Sequence, residues 1–254
     1  EARVLAWLAG QDDLVSAFLN GDDVYISMSS KIYTKLEEDV TKDERFVGKT
    51  TILGCGYGMG AVKFVAQLAT FGHVMPIDEG RRVVNVYREA NWKIVQLWRD
   101  LQQMLVKMSR GETMSLGPNG IIRSIETATG MGILLPSGLV MRYDALEFEQ
   151  GERGPEFSYK TRRGRTRIYG GKLCENVCQA IARCIMGEQM LAVAKQEKVA
   201  LTVHDSLVCC VLTATLDQSQ AFIESCMRVT PSWAEGLPIT CESDSGKSYG
   251  EAAG

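Results

Sequence analysis

The 254 residues carry a formal net charge of −3, with 45% hydrophobic and 23% charged side chains. This balance specifies a folded globular chain with a buried core, as one large domain or two subdomains sharing a cleft, and excludes disordered and fibrous classes. It also excludes a uniformly basic nucleic-acid coat, so a polyanion must be met by one local face; no run of about eighteen apolar residues marks a membrane span.

The opening EARVLAWLAGQ starts inside an amphipathic pattern (Val4, Leu5, Leu8, with Trp7 between) and has neither the basic leader nor the cleavage site of a signal peptide. It reads as the continuation of a longer polypeptide. Residues 1–38 read as helices broken at Gly21, with Asp22 as the expected N-cap of DDVYISMSSKIYTKL. A second pattern starts at Thr41, where Thr41 and Glu44 match a capping box; glycines 54, 56, 58 and 60 interrupt it after about three turns. The stretch DEGRRVVNVYREANWKIVQLWRDLQQMLVKMSRG is long and amphipathic, with apolar residues near every third or fourth position, so the first 110 residues read as almost wholly helical.

After about residue 110 the pattern changes. ILLPSGLVMRYDALEFE predicts a hairpin around Pro136-Ser137-Gly138, and FSYKTRRGRTRIYGG a strand pair or an extended basic loop. A long helix follows from KLCENVCQ, then a second hairpin, VALTVHDSLVCCVL, centred on His204 and Asp205. A last helix covers about 217–229, and PITCES is an expected edge strand. The predicted class is α+β: a helical insertion, then an antiparallel sheet with flanking helices. The eight cysteines show no C-x-x-C pairing and read as free thiols in a reducing cytoplasm; Cys174, Cys178 and Cys184 fall on an apolar helical stripe.

The segment RFVGKTTILGCGYGMG contains GKT, yet a phosphate-binding P-loop needs a glycine where Asp43 stands and a strand where a helix is predicted, so that motif is rejected. What remains is Arg45, Lys49 and Tyr57, spaced four and eight residues apart on one predicted helical face. Two cations followed by an aromatic suit a triphosphate with a base at one end. A lone Arg-x-x-x-Lys pair is more often a solvated helix edge; the glycines behind Lys49 favour the ligand reading because they let a backbone or a base approach.

R-x-x-x-K-x-x-x-(aromatic)-G-x-x-Y-G is the fingers-helix signature of family A DNA polymerases, and Arg45, Lys49, Gly54, Tyr57 and Gly58 match it. The chain resembles the bacteriophage branch, with the phrases KTTILGCGYGMG, PSG, YGGKL-EN and VHD in order. The resemblance implies nucleotidyl transfer from a dNTP to a primer 3′-hydroxyl by a two-metal mechanism, with Arg45 and Lys49 on the dNTP phosphates and Tyr57 by the nascent base pair. Leu53 stands where the family commonly has an aromatic, which implies altered handling of sugar-modified nucleotides. EARVLA resembles the second half of the first palm motif, so Glu1 would be the steric gate paired with Tyr57 and Arg3 structural. That motif's metal-binding aspartate would precede Glu1.

The same resemblance makes TVHDSLVCCV the last palm motif, with Asp205 a Mg²⁺ ligand and His204 at the primer terminus, while Ser206 replaces a usual glutamate. Taken alone, a His-Asp turn is more often a local hydrogen-bonded cap. KTRRGRTRIYGGK, with Arg162, Arg163, Arg165 and Arg167, would contact the DNA backbone; Asn176 and Gln179 would meet the minor groove at the primer end. The implied organisation is palm-related for 1–38, fingers for 39–125 and palm for 126–254. Implied partners are primer-template DNA, dNTP, two Mg²⁺ ions with one protein ligand outside this chain, and an upstream polymerase portion carrying the thumb and first aspartate. The implied location is the cytoplasm of a phage-infected bacterium. The rival reading is a non-catalytic, polymerase-like DNA-binding or assembly subunit.

Overall fold

The structure, a computed structural model, describes residues 1–151 and 154–252; residues 152, 153, 253 and 254 of the expected palm segment lie outside them. Seven helices come first: α1 (Ala2–Ala9), α2 (Asp12–Asn20), α3 (Val24–Tyr33), α4 (Lys42–Cys55), α5 (Ala61–Thr70), α6 (Ile77–Ala90) and α7 (Trp92–Met108). The strands β1 (Ser115–Leu116), β2 (Ile122–Thr127), β3 (Gly130–Leu134) and β4 (Val140–Asp144) form an antiparallel meander; β5 (Glu147–Gly151), β6 (Gly154–Thr161) and β7 (Gly164–Ile168) form another. Then come α8 (Gly170–Val193), the hairpin β8 (Lys198–Val203) with β9 (Ser206–Cys210), and α9 (Leu216–Met227). The chain makes two compact units, Glu1–Ala180 and Ile181–Gly254. The α+β class and both expected hairpins are present, and the basic segment is a strand pair, β6 with β7.

Three details differ from the sequence reading and one refines it. The N-cap of α3 is Asp23, not Asp22: Gly21 closes α2 in the left-handed conformation at φ 79°, and the Asp22 N–H is used up by the Ala17 carbonyl at 2.9 Å. Asp23 is then the first carboxylate free to accept from Tyr25 N and Ile26 N. The long amphipathic stretch is two helices, because Asn91 leaves helical geometry and its amide Nδ2 donates to Tyr87 O at 3.0 Å, competing with the backbone ladder. PITCES forms no strand. Pro238 has no N–H to donate, and Cys241 O and Ser243 O accept from Arg228 and Gln220 of the α9 region instead of a neighbouring strand. Finally, α4 ends at Cys55, leaving Tyr57 in the turn beyond it.

In the first unit, Met28, Ile32, Val47, Ile52, Phe64, Leu68, Val83, Val84 and Tyr87 bring α3 to α6 onto one core. Helix α3 crosses α4 at close range. A Cβ on Gly48 would overlap the Tyr25 carbonyl and the Ser29 hydroxyl, so the glycine of GKT serves helix packing, not phosphate. Ser29 Oγ sits 2.9 Å from Tyr25 O and 2.7 Å from Glu44 O, tying the two helices at that point. Thr41 and Glu44 complete the expected capping box at the start of α4. In the second unit, Met186, Val193, Cys226 and Met227 form a smaller core that backs Val199, Leu207 and Cys209 of the β8–β9 hairpin. All eight cysteines are free thiols, and Cys174, Cys178 and Cys184 are buried as expected of small core residues. No helix among the described residues is long and apolar enough to cross a membrane.

Gly48→Ala should therefore destabilise the chain by about 1–3 kcal/mol through overpacking. A urea-unfolding midpoint lowered in Gly48→Ala, with no matching change for Gly60→Ala, whose Cβ would meet open space, is the expected result.

Candidate functional site

Helix α4 buries Val47, Gly48 and Thr51 toward α3 and turns Arg45, Lys49 and Leu53 outward at successive fourth positions. Lys49 is exposed, Arg45 half-buried, and Leu53 is 46% exposed, presenting bare apolar surface beside two cations. Opposite them, the first turn of α3 supplies two groups. The Arg45 guanidinium lies 5.3 Å from the Tyr25 ring centre and Lys49 Nζ lies 6.0 Å from it. Arg45 also pairs with Asp23, Nη2 to Oδ2 at 2.7 Å and Nε to Oδ2 at 2.8 Å. Burial by itself would raise the Asp23 carboxyl, but the Ile26 N–H, the Arg45 guanidinium and the Tyr25 N–H outweigh it and hold the group below the usual carboxylate range.

Sequence spacing along α4 could not reveal Tyr25 or Asp23, since both come from the neighbouring helix. The available signal was Gly48 itself, a small residue in mid-helix, which marks a place where another backbone comes close.

Tyr57 does not continue the stripe of α4. It sits in the turn after it, where Trp98 Nε1 donates to Gly56 O at 2.8 Å and Gly171 is so close that a Cβ there would press on the Tyr57 carbonyl. Its hydroxyl is buried, with no oxygen or nitrogen partner among the described residues and the Cys178 thiol beside it. Burial, then the Cys178 thiol and the Glu1 carboxylate, push that phenol well above its ordinary range. Glu1 and Tyr57 are thus electrostatic neighbours. Arg3 stacks on Phe18 at 5.0 Å.

The basic strand pair divides its cations. Arg165 pairs with Glu147 at 3.0 Å and donates to Ser158 and Ala145 O; Arg167 pairs with Glu156 at 3.1 Å. Both are engaged within their own sheet. Arg162 and Arg163 occupy the exposed turn between β6 and β7 with no acidic partner among the described residues. On α8, Gln179 is exposed, whereas Asn176 Nδ2 donates to Tyr143 Oη at 3.2 Å; burial pushes that phenol up to about 12 despite the amide's opposing effect.

In the second unit, His204 and Asp205 form the exposed two-residue tip between Val203 and Ser206. His204 has φ +54°, the left-handed conformation that tight two-residue hairpin turns require and that costs a non-glycine residue about 1–3 kcal/mol. Asp205 presents a solvent-facing carboxylate, and Ser206 adds a hydroxyl beside it. No group of three or more His, Cys, Asp or Glu among the described residues is arranged to hold a metal. One exposed carboxylate still suits Mg²⁺, which keeps several waters and takes one or two carboxylates alongside substrate phosphates.

Comparisons with known proteins also find a mixed fold of this kind. Residues 1–128 match the family described as DNA polymerase family A. The chain is 31% identical over 95% of its length to the DNA polymerase of Bacillus phage SP02, covering 38% of that protein. It is 27% identical over 45% of its length to DNA polymerase I of Helicobacter pylori strain J99, covering 12% of it. The fold matches the POL domain of Pol1 from M. smegmatis, solved with DNA primer-template and dNTP. That match has a TM-score of 0.64 and 18% identity, and covers 100% of this chain and 39% of the other. The chain belongs to DNA polymerase family A. It spans about two fifths of the length of its phage relative.

Because the Tyr57 hydroxyl is buried with only the weakly bonding Cys178 thiol beside it, Tyr57→Phe should raise stability by about 1 kcal/mol. Thermal unfolding of the two proteins side by side measures this; a loss of stability would mean the hydroxyl has a partner.

Proposed function

We propose that this chain carries the nucleotide-binding and primer-end portions of a template-directed DNA polymerase, transferring a nucleotidyl group from dNTP to a primer 3′-hydroxyl. The observation that carries this reading is the stripe of Arg45, Lys49 and Leu53 on α4, leading to the Tyr57 turn, in a chain of family A. Two cations one helical turn apart and partly exposed suit a triphosphate, and exposed Leu53 suits the apolar face of a sugar or base. Positioning and neutralisation of phosphate charge are most of what phosphoryl transfer asks of a protein.

In this reading residues 39–125 act as fingers, with 1–38 and 126–254 contributing to the palm. Tyr57, with Glu1 nearby, forms the floor under the nascent pair and limits room at the sugar. His204 meets the primer terminus. Gln179 and Asn176 test the minor groove, where acceptors are similar for every base pair. Arg162 and Arg163 neutralise template or primer phosphates, while Arg165 and Arg167 chiefly hold the strand pair together. Asp205 would hold Mg²⁺, whose chemistry is charge neutralisation on the transferring phosphoryl group and on the attacking and leaving oxygens. The chain spans 38% of its phage relative, so the proposed activity draws on further polymerase segments that supply the thumb and a second carboxylate.

Primer extension by the polymerase containing these residues, with and without Asp205→Asn, tests the assignment. The substitution should lower kcat about a thousandfold or more, the several kcal/mol that a metal clamp supplies, with primer-template affinity retained. Extension unaffected by Asp205→Asn would favour a DNA-binding or assembly role without catalysis, the reading that a lone carboxylate beside Ser206 supports.

A second measurement separates the cations. Replacing Arg162 and Arg163 together by Ala should reduce the slope of log K against log salt by about 2, near one counterion per lost phosphate contact. Arg167→Ala, already paired to Glu156, should change that slope by less than half a contact's worth.

A further inference from the structure

We propose that Asp23 is a positioning residue for nucleotide binding: it fixes the Arg45 guanidinium by one edge and leaves the other edge open to a triphosphate. This deepens, and rests on, the reading of Arg45 and Lys49 as the phosphate site.

Asp23 is itself immobilised by the backbone. Its Oδ1 accepts from Tyr25 N and Ile26 N, both at 3.0 Å, as the N-cap of α3. The other oxygen, Oδ2, takes Arg45 Nε at 2.8 Å and Nη2 at 2.7 Å. A guanidinium has five N–H donors in a rigid plane. Asp23 uses Nε–H and one Nη2–H; the two on Nη1 and the remaining one on Nη2 have no partner among the described residues. Those are the donors able to form a two-point contact with a phosphate.

The Tyr25 ring, 5.3 Å from the guanidinium carbon, closes off the side of the rotamer range facing α3. Lys49, one turn along α4, is a point charge beside it with no acidic partner among the described residues. The three anchors (cap, ion pair and ring) all come from α3. The start of that helix therefore acts as a jig for the first phosphate-binding cation of α4.

The ion pair is half exposed, at 41% and 34% for the two side chains, so it contributes little to folding in water. Its effect is on where the guanidinium points. A carboxylate beside a polyanion site also repels the ligand, and a competitor for Arg45 would show the opposite sign: its removal would tighten binding. The shared oxygen lies on the Nε edge, away from the free donors, which favours positioning over competition.

The experiment is steady-state primer extension by the polymerase containing these residues, varying dNTP, with Asp23→Ser, Asp23→Asn, Arg45→Ala and the double variant Asp23→Ser/Arg45→Ala. Serine and asparagine both keep an N-cap acceptor, so the unfolding midpoint and primer-template affinity should stay put. Asp23→Ser should raise the KM for dNTP about tenfold with kcat nearly retained, and Asp23→Asn by at least as much, because its single amide oxygen is taken by the cap and leaves an NH2 donor facing Arg45. In the Arg45→Ala background Asp23→Ser should add nothing.

An unchanged or lowered KM in Asp23→Ser overturns the proposal, as does an effect that persists without Arg45. If Arg45→Ala itself leaves the dNTP KM unmoved, the phosphate-site reading fails and the proposal with it. If Arg45→Ala raises KM and Asp23→Ser does not, the proposal alone fails.

Discussion

The arrangement of the first unit depends on how closely α3 can lie against α4. Gly48 sets that distance: with no side chain there, the Tyr25 carbonyl and Ser29 hydroxyl reach the backbone of α4 directly, and Ser29 bonds across to Glu44 O. Bringing two helices this close lets the first turn of α3 touch the side chains of α4 one turn up and down from the crossing. Arg45, three residues before Gly48, meets Asp23 and Tyr25; Lys49, one residue after, comes within reach of the same ring. A wider crossing would separate cation from carboxylate and ring together.

That geometry also explains how two like charges are held on one exposed stripe without mutual cost. Arg45 is neutralised on its inner edge by Asp23, and Glu44 at the start of the helix is taken up by Lys35 at 2.6 Å. Acidic residues near the helix N-terminus are favoured by its dipole, so Asp43 and Glu44 stabilise α4 while Lys49 keeps an unopposed charge. The basic strand pair follows the same plan in part: Arg165 and Arg167 are paired with Glu147 and Glu156, while the turn residues Arg162 and Arg163 present charge outward with no acidic partner among the described residues. A chain with net charge −3 thus offers small cationic faces without a basic surface overall.

Local signals in the sequence were enough for what is local. The capping box at Thr41 and Glu44, the turn at Pro136-Ser137-Gly138 and the His204-Asp205 hairpin each follow from a few neighbouring residues, and each is present. Errors arose where two neighbours compete for one role. Asp22 and Asp23 are equal as caps by type, and only the Schellman-like closure of α2 on Ala17 decides between them. Asn91 lies inside an unbroken amphipathic pattern, and its helix-breaking bond to Tyr87 O depends on its side chain being buried. Tyr25 and Asp23 were beyond any single-helix pattern because their importance comes from the crossing. Likewise Arg165 and Arg167 look like free cations in sequence, since the acids that engage them lie on other strands.

Two supports of opposite kinds hold the proposed chemistry. Arg45 and Lys49 ride on a fourteen-residue helix locked into a ten-residue buried cluster, so their placement is set by packing that costs several side chains to disturb. His204 and Asp205 ride on a two-stranded hairpin, an element only marginally stable by itself. Its rigidity has to come from beneath, where Val199, Leu207 and Cys209 rest on Met186, Val193, Cys226 and Met227 of α8 and α9. The strained φ of His204 is sustained only because those strands fix both ends of a two-residue turn. A hairpin free to relax would let His204 return to ordinary backbone geometry and turn Asp205 away. The small apolar core under β8 and β9 is therefore as much a part of the site as the residues at its tip.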